Sequence, residues 1–262
     1  MVNNKYKIIK QEEVIPGHRL TCIEAPEIAN IAVPGQFLHI RCGESHDPLL
    51  RRPISVHFVN REKVYLLYRI AGKGTDLLAR MRPGELLDVI GPLGKGYTLP
   101  EKGESVAVLG GGIGIAPLFF LLSQIKKIYG TGLENLNVYF GAATADALPC
   151  VDQIMTMGFN VKIATDDGSG GFKGNVLEMA EEELKSNKPA RIYSCGPLPM
   201  LKGLLALTGD RKGIEVSVEE LMGCGLGACL SCICKVKGAE DEYKYAHVCR
   251  DGPVFDLREL VF

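Results

Sequence analysis

The sequence predicts a mixed fold in three parts: an N-terminal antiparallel β-barrel, a central α/β domain with a doubly wound parallel sheet, and a small cysteine-rich C-terminal domain. Three observations predict it. The first hundred residues contain short β-prone runs separated by turn signals, and the next hundred alternate β-prone with helical segments. Five of the nine cysteines lie between Cys224 and Cys249. The predicted domains are 1–100, 101–210 and 211–262.

The overall composition is that of an ordinary globular protein. The chain has 262 residues, 46% hydrophobic and 23% charged, with a formal net charge of -1. This excludes wholesale disorder and gives no electrostatic reason to bind nucleic acid or an anionic membrane. The longest strongly apolar stretch, Ile113 to Leu122, is shorter than the ~20 residues of a membrane span, and the N-terminus lacks the apolar core of a signal peptide. We therefore expect a soluble, cytoplasmic protein.

The first hundred residues predict a small antiparallel barrel. Pro-Gly and Gly-Pro pairs punctuate the segment, for example Pro16-Gly17 and Pro34-Gly35, and mark turns. One short helix is predicted near Asp76–Met81. The β-prone runs between the turns are Tyr6–Ile9, Leu20–Ile23, Gln36–Arg41, Ile54–Val59, Lys63–Ile70 and Glu85–Ile90.

The middle segment predicts a parallel sheet, because strands alternate with helices along the chain. The predicted strands are Ser105–Leu109, Asn137–Phe140, Asn160–Ala164 and Ala190–Ser194. The predicted helices are Ala116–Tyr129, Ala147–Met157, Asn175–Ser186 and Pro199–Leu207. In the tail, Ile233–Val236 and Ala246–Val248 are β-prone, but the tail is too short to bury much core without help from a metal cluster.

The cysteine spacing in the tail indicates an iron–sulfur cluster. Cys224, Cys229, Cys232 and Cys249 give C-x4-C-x2-C-x16-C, which is the order and spacing of plant-type [2Fe–2S] sites. Small residues between the first two cysteines let the backbone wrap closely around a cluster. The alternatives are a structural zinc site and buried free thiols. Cys234 is the rival for the third ligand, but it breaks the x2 spacing, so we interpret it as a nearby thiol.

Two segments of the central domain indicate nucleotide binding. Gly110-Gly-Gly-Ile-Gly-Ile-Ala-Pro117 follows a strand and opens a helix, where backbone amides can approach a pyrophosphate. Ile115 stands where the standard motif has its third glycine. Ser194–Met200 ends the last predicted strand at the same sheet edge. For each segment the alternative is a turn that binds no ligand.

Two segments of the barrel indicate phosphate binding. Arg51-Arg52-Pro53-Ile54-Ser55 brings a forked donor and a hydroxyl to the start of a strand. Gly72-Lys73-Gly74-Thr75 lies at the start of a helix, where backbone amides can hold an anion. The alternative for either segment is an ordinary strand followed by a turn.

Together these segments resemble the ferredoxin–NADP reductase superfamily. Arg52-Pro53-Ile54-Ser55 resembles its flavin motif R-x-Y-S, with Ile54 in the usual place of tyrosine. The tail with Val248-Cys249-Arg250-Asp251-Gly252-Pro253-Val254-Phe255 is similar to the electron-transfer subunits of dihydroorotate dehydrogenase B. The resemblance implies FAD in the barrel, NAD on the central domain, and a [2Fe–2S] cluster in the tail. It also implies an FMN-containing catalytic partner that oxidises dihydroorotate, in a heterotetramer of two chains of each kind.

The resemblance also implies which residues bind each group, and it places no catalytic side chain on this chain. The FAD residues are Arg52, Pro53, Ile54, Ser55, Leu67, Tyr68, Arg69, Gly74 and Thr75. The NAD residues are Gly111, Gly112, Gly114, Asp146, Cys195, Gly196 and Pro197. The cluster ligands are Cys224, Cys229, Cys232 and Cys249.

Coenzyme choice follows from the residues after the strand Asn137–Phe140. No Arg or Lys stands in the segment 141–146 to meet a 2′-phosphate, and Asp146 would repel one, so NAD is favoured over NADP. Asp166-Asp167 follows another strand at the same edge, where it could contact a ligand or form a plain acidic turn.

Two other functions remain open from the sequence. The chain could serve a sulfide dehydrogenase, a hydrogenase or a ferredoxin–NADP oxidoreductase with the same cofactors. It could also be a non-catalytic iron–sulfur sensor that retains the fold, in which case NADH would not reduce the cluster. The five histidines are scattered, and each is interpreted as structural or solvated.

Overall fold

The computed structural model describes residues 1–43, 47–130, 135–239 and 242–262. Within this part of the chain, the strands form a closed barrel, a seven-stranded sheet and a three-stranded sheet. The predicted barrel and parallel-sheet domain are both confirmed.

The barrel contains six strands in the order β1-β2-β5-β4-β3-β6, all paired antiparallel. Alternate residues of each strand point inward, as in Val64 and Leu66 or Leu87 and Val89, and these side chains are fully buried. A short helix α1 (Pro26–Ala29) and a second helix α2 (Lys73–Arg80) lie between strands. The strands are β1 (Val2–Ile15), β2 (His18–Glu24), β3 (Phe37–Ile40), β4 (Arg52–Asn60), β5 (Lys63–Arg69) and β6 (Leu86–Leu93).

The seven-stranded sheet is parallel except at one edge. Its order is β10-β9-β8-β7-β11-β12-β15, and only the last pair is antiparallel. The order reverses direction between β7 and β11, so the sheet is doubly wound with its switch point there. The strands are β7 (Val106–Gly111), β8 (Leu136–Ala142), β9 (Asn160–Thr165), β10 (Phe172–Lys173), β11 (Arg191–Cys195), β12 (Ile214–Ser217) and β15 (Val254–Asp256).

Helices cover both faces of this sheet. The longest, α3, is apolar from Ile115 to Leu122, where it packs between the sheet and barrel strand β4. His57 of β4 and Phe119 of α3 pack with ring centroids 4.4 Å apart. The helices are α3 (Ile115–Tyr129), α4 (Val151–Thr156), α5 (Val176–Glu182) and α6 (Leu198–Thr208).

One predicted helix is shorter than expected. The prediction of a continuous helix over Ala147–Met157 is wrong: a 3₁₀ turn covers Ala145–Ala147, and α4 begins only at Val151. Pro149 disfavours a helical residue before it, and Cys150 has a φ of 63°, outside the right-handed helical region, so α4 begins only at Val151. The predicted helix Asn175–Ser186 is present as α5, which continues into a π-helical turn at Glu183–Asn187.

The cysteine-rich segment leaves the large sheet and returns to it. It departs after β12 and rejoins as β15, which pairs with β12 through Ser217 and Val254. Two strands between β12 and β15 and one strand after β15 form a three-stranded sheet in the order β14-β13-β16. Its strands are β13 (Ile233–Lys237), β14 (Tyr243–His247) and β16 (Leu260–Val261).

One continuous apolar cluster joins the cysteine-rich segment to both other parts. Phe37 and Leu93 of the barrel, Val216 of the sheet, and Met222 and Val248 of the cysteine-rich segment all belong to it. Burial of this cluster fixes the three parts against one another. No helix among the described residues is long and apolar enough to cross a membrane.

Candidate cofactor-binding site

The four cysteines of the predicted ligand set are neighbours in the structure, where the cysteine-rich segment meets the barrel. The Cys224 and Cys229 side chains interact directly, and so do those of Cys232 and Cys249. Cys232 and Cys249 are buried, whereas Cys229 is exposed. Two pairs of sulfurs are what a cluster of two irons requires.

Backbone amides of the loop point at these sulfurs. Cys224 Sγ accepts hydrogen bonds from the amides of Leu226 at 3.3 Å and Ala228 at 3.4 Å. Cys249 Sγ accepts one from Gly227 at 3.1 Å, and Cys229 Sγ accepts one from Cys224 at 3.3 Å. Such N–H···S bonds stabilise the negative charge of thiolate ligands and of the cluster they hold.

The same amides favour the thiolate form of Cys224. Burial opposes ionisation of this thiol, but the amides of Leu226 and Ala228 and the neighbouring Cys229 together lower its pKa to about 6. Gly225 and Gly227 have φ values of 72° and 80°, which the turn requires and which side chains disfavour. The loop therefore fits an iron–sulfur cluster in its residues, its backbone shape and its charge.

The sulfurs do not converge on a single point. Among the described residues, no group of three or more His, Cys, Asp or Glu side chains has the geometry of one bound metal ion. A two-iron cluster does not need such convergence, because each iron takes two of the four thiolates.

Cys234 differs from the four. It is half-buried on β13, and burial together with the nearby Glu220 carboxylate raises its pKa to about 11. Among the described residues, the loop amides that donate to Cys224, Cys229 and Cys249 do not donate to its sulfur, and only its own backbone amide acts on it. Its position outside the amide-lined loop distinguishes Cys234 and its pKa does not, because burial and Cys232 raise the pKa of the predicted ligand Cys249 to about 12.

A cleft of 470 Å³ opens between the barrel, the start of α3 and the beginning of the cysteine-rich segment. Seven of the nine residues predicted to bind FAD line it: Pro53, Ile54, Ser55, Leu67, Tyr68, Arg69 and Thr75. The Tyr68 hydroxyl is engaged inside the barrel by Gln11 and Thr21, so this residue presents its other atoms to the cleft.

The other two predicted FAD residues lie against each other beside α2. A Cβ on Gly74 would stand 2.7 Å from Arg52 Nε, so only glycine lets the guanidinium lie across the start of this helix. Arg52 donates hydrogen bonds to the carbonyls of Leu50 and Arg51 and has no ion pair among the described residues. An Arg side chain above a helix N-terminus, next to the cleft, fits a pyrophosphate.

A second cleft, of 840 Å³, lies at the switch point of the large sheet, outside the carboxyl ends of β7 and β11. Gly111, Gly112, Gly114, Gly196 and Pro197, five of the predicted NAD residues, line it. This edge is where doubly wound sheets bind nucleotides. Gly114 is required there, because a Cβ would lie 2.2 Å from the Cys195 carbonyl oxygen.

Two predicted NAD residues do not line this cleft. Cys195 is 1% exposed, and burial raises the pKa of its thiol. Asp146 is exposed on the 3₁₀ turn after β8. Asp166, after β9, lines the cleft instead, together with Ala142 and Ala143. From the sequence, Asp146 is the predicted NAD residue and Asp166 a second candidate. Both follow strands at the same sheet edge, so the sequence alone could not show which of them lines the cleft.

The two clefts meet at three residues. Arg69, Ile113 and Glu219 line both of them. The Glu219 side chain is exposed. Surrounding protein atoms nevertheless desolvate its carboxyl and raise its pKa, and the positive charge of Arg69 opposes this shift. The 470 Å³ cleft, called the flavin cleft below because FAD is predicted there, therefore adjoins the 840 Å³ cleft, called the nucleotide cleft because NAD is predicted there. Glu219, which the sequence did not single out, lies at their junction.

The loop that contains Cys224, Cys229 and Cys232, called the cluster loop below, begins at the wall of the flavin cleft. Residues Ser217 to Met222 line that cleft, and Cys224 follows two residues later. The chain thus runs directly from the flavin cleft into the cluster loop.

Comparison with known protein families identifies two parts of the chain. Residues 219–261 match the iron–sulfur cluster binding domain of dihydroorotate dehydrogenase B, and residues 108–205 match the oxidoreductase NAD-binding domain. The fold, the clefts and these matches define a flavin-dependent, NAD-linked oxidoreductase with a [2Fe–2S] cluster.

Curated relatives narrow the assignment. The chain is 45% identical to the dihydroorotate dehydrogenase B (NAD(+)) electron transfer subunit of Desulforamulus reducens, over 98% of this chain and 97% of the relative. It is 42% identical to that of Shouchella clausii, over 97% and 96% of the two chains. The chain belongs to the family of dihydroorotate dehydrogenase B electron transfer subunits.

Solved structures agree with this fold. A chain of the NADH-dependent reduced ferredoxin–NADP oxidoreductase superposes with a TM-score of 0.82 at 28% identity, over 98% of this chain and 89% of the other. Phthalate dioxygenase reductase superposes with a TM-score of 0.65 at 16% identity, over 95% and 77% of the two chains, which shows a shared fold.

Replacing single cysteines tests the ligand set. We expect Cys224→Ser, Cys229→Ser, Cys232→Ser and Cys249→Ser each to lose most of the bound iron and the cluster's visible absorbance, because serine is a poor replacement for a thiolate ligand. Cys234→Ser is the matched control, only two residues from Cys232, and should keep both. Iron and sulfide analysis of anaerobically purified protein measures the outcome. Loss of the cluster in Cys234→Ser with retention in Cys232→Ser would reassign the third ligand.

Proposed function

We propose that this chain carries electrons from a separate FMN-containing dihydroorotate dehydrogenase chain to NAD⁺, in pyrimidine biosynthesis in the cytoplasm. The observation that supports it is the adjacency of the three sites: the cluster loop starts at the wall of the flavin cleft, which adjoins the nucleotide cleft. The relatives' names favour dihydroorotate as the electron source over sulfide, hydrogen or ferredoxin.

The three predicted domains correspond to three roles. We assign residues 1–100 to flavin binding, 101–210 to NAD binding and 211–262 to the cluster, although strands β12 and β15 of the last segment extend the central sheet. When bound, the cluster carries single electrons, and the flavin converts two of them into the hydride that NAD⁺ accepts.

The barrel residues would hold and orient FAD. Arg52 and the start of α2 at Gly74 and Thr75 offer donors to its pyrophosphate. The Thr75 hydroxyl accepts hydrogen bonds from the amides of Ala71 at 2.9 Å and Gly72 at 3.2 Å, which fixes the turn that enters the helix. Ser55 brings a hydroxyl to the cleft, and Leu67 makes one apolar wall.

The glycines of the nucleotide cleft would let NAD lie close to the backbone. Gly111, Gly112 and Gly114 lead into α3, and Gly196 and Pro197 precede α6. With no side chains at these glycines, the coenzyme can lie across the sheet edge and reach Arg69 and Glu219 at the junction.

The surface beside the cluster fits a protein partner. Leu221, Leu226 and Leu230 are 85%, 48% and 61% exposed, and they flank the exposed Cys229. Apolar side chains grouped around a redox centre suit a docking surface, because contact there excludes water and brings two centres close. We propose that this face binds the catalytic chain, in a heterotetramer of two chains of each kind.

Reconstitution with the catalytic chain tests the proposed function. With the purified FMN chain present, we expect dihydroorotate to drive NAD⁺ reduction, and we expect Leu226→Asp combined with Leu230→Asp to abolish this and co-purification. NADH-driven bleaching of the flavin in that variant should be unchanged, since both leucines lie outside the clefts. Leu86→Asp, at 58% exposure on β6, is the control and should behave as wild type.

Two results would contradict the proposal. One is the absence of dihydroorotate-driven NAD⁺ reduction in a complex that retains FMN, FAD and the cluster. The other is co-purification of a hydrogenase, sulfide dehydrogenase or ferredoxin oxidoreductase chain from the native host in place of the dihydroorotate-oxidising chain.

The nucleotide cleft makes a separate prediction about coenzyme choice. We expect Asp166→Ser to raise KM for NAD⁺ about tenfold and to narrow the preference over NADP⁺, because a cleft carboxylate accepts ribose hydroxyls and repels a 2′-phosphate. Asp146→Ser is the matched control and should change neither value by more than about twofold. Steady-state kinetics with both coenzymes measures this. The reverse pattern would restore Asp146 as the selecting residue.

A further inference from the structure

Two buried histidines of the barrel differ in their hydrogen bonding. His57 is satisfied: its Nδ1 lies 3.0 Å from the Ala116 carbonyl oxygen and its Nε2 lies 3.8 Å from Cys150 Sγ. His39 is fully buried, and neither ring nitrogen has a hydrogen-bond partner among the described residues. A buried polar group without a partner costs about 1–3 kcal/mol, so His39 needs an explanation.

The position of His39 connects two cofactor sites. It lies on β3, paired with Pro53 of the flavin motif on β4. Its neighbour Phe37, two residues earlier on the same face of the strand, belongs to the apolar cluster that packs the cysteine-rich segment onto the barrel. His39 therefore stands on the barrel wall between the flavin motif and the cluster loop.

The cluster loop rests directly on the ring. A Cβ on Gly225 would lie 2.5 Å from His39 Nδ1, closer than such atoms approach, and 3.1 Å from its Cγ. Gly225 follows Cys224, the first of the four predicted ligands. Burial lowers the pKa of the His39 ring to about 4, and the backbones of Cys224 and Arg51 oppose this shift, as carbonyl acceptors beside the ring do. An imidazole carries an N–H on at least one nitrogen in either tautomer, so it can donate to one of them.

The part of the loop that touches His39 is also the part that donates to the sulfurs. Immediately after Gly225, the amides of Leu226, Gly227 and Ala228 point at cluster sulfurs. These N–H···S bonds stabilise the reduced cluster, which carries one more negative charge than the oxidised one, and so raise its reduction potential. Their geometry depends on where Cys224 and Gly225 are held.

We propose that His39 is a positioning residue for the cluster: its ring N–H donates to the Cys224 carbonyl and holds the loop so that its amides stay directed at the sulfurs. His39 thereby raises the reduction potential of the cluster and anchors the cluster loop to barrel strand β3. This inference rests on the iron–sulfur site of the proposed function and not on the identity of the partner.

Redox titration of the isolated chain, followed by electron paramagnetic resonance of the cluster, tests the inference. We expect His39→Leu, which removes the donor, to shift the midpoint potential of the cluster to a more negative value and to broaden its signal. His39→Asn, whose amide nitrogen can replace Nδ1, should recover most of the wild-type potential. The flavin potential and the affinity for NADH should be unchanged in both variants, since His39 lines neither cleft.

Two further variants keep the test decisive if His39→Leu fails to assemble a cluster. Gly225→Ala pushes the loop away from the ring and should shift the potential in the same direction as His39→Leu. His57→Asn alters a buried histidine elsewhere in the barrel and should leave the cluster potential at its wild-type value.

The inference is overturned by a wild-type potential and signal in His39→Leu. It is equally overturned if His39→Asn shifts the potential as far as His39→Leu does, or if Gly225→Ala keeps the wild-type potential. These measurements use the isolated chain, so they remain informative if the proposed partner is wrong.

Discussion

The arrangement of the three sites depends on one strand pairing. Strand β15 returns to the large sheet beside β12, so that Ser217 pairs with Val254 and the Val218 amide donates to the Pro253 carbonyl at 2.9 Å. The segment between these residues contains all four predicted cluster ligands and strands β13 and β14, and the pairing closes it at its base. Because the base lies at the edge of the flavin cleft, the loop cannot carry the cluster away from the flavin. A domain joined by a single linker would have no such restraint.

The barrel also contacts the turn before β15, at Gly252. The Lys95 amide donates to the Gly252 carbonyl, and a Cβ on Gly94 would lie 2.4 Å from that oxygen. On Gly35, a Cβ would lie 2.7 Å from the Val254 side chain. These close approaches need glycine at both barrel positions. The turn at Gly252 therefore touches the barrel while the next residues enter the sheet, and burial of the shared apolar cluster holds the contact.

The features that the sequence predicted are local in the chain. The cysteine spacing, the glycine turn before α3 and the strand pattern of the barrel each depend on residues a few positions apart. The return of β15 could not be predicted, because it pairs segments separated by the whole cysteine-rich loop. Asp166 lines the nucleotide cleft and Asp146 does not, and this depends on the positions of the chain after β9 and of the 3₁₀ turn after β8 in the folded sheet. His39 looked like one scattered histidine, since only folding brings Gly225 onto its ring.

The proposed function requires electrons to pass within this chain between the nucleotide cleft and the cluster. The most direct measurement is anaerobic addition of NADH to the full chain carrying FAD and the cluster, with flavin absorbance and the electron paramagnetic resonance signal of the cluster followed in time. We expect flavin bleaching and then the signal of the reduced cluster, and bleaching alone in Cys232→Ser. Electron transfer within the chain is ruled out if NADH bleaches the wild-type flavin while the cluster stays oxidised, although a chemical reductant reduces it.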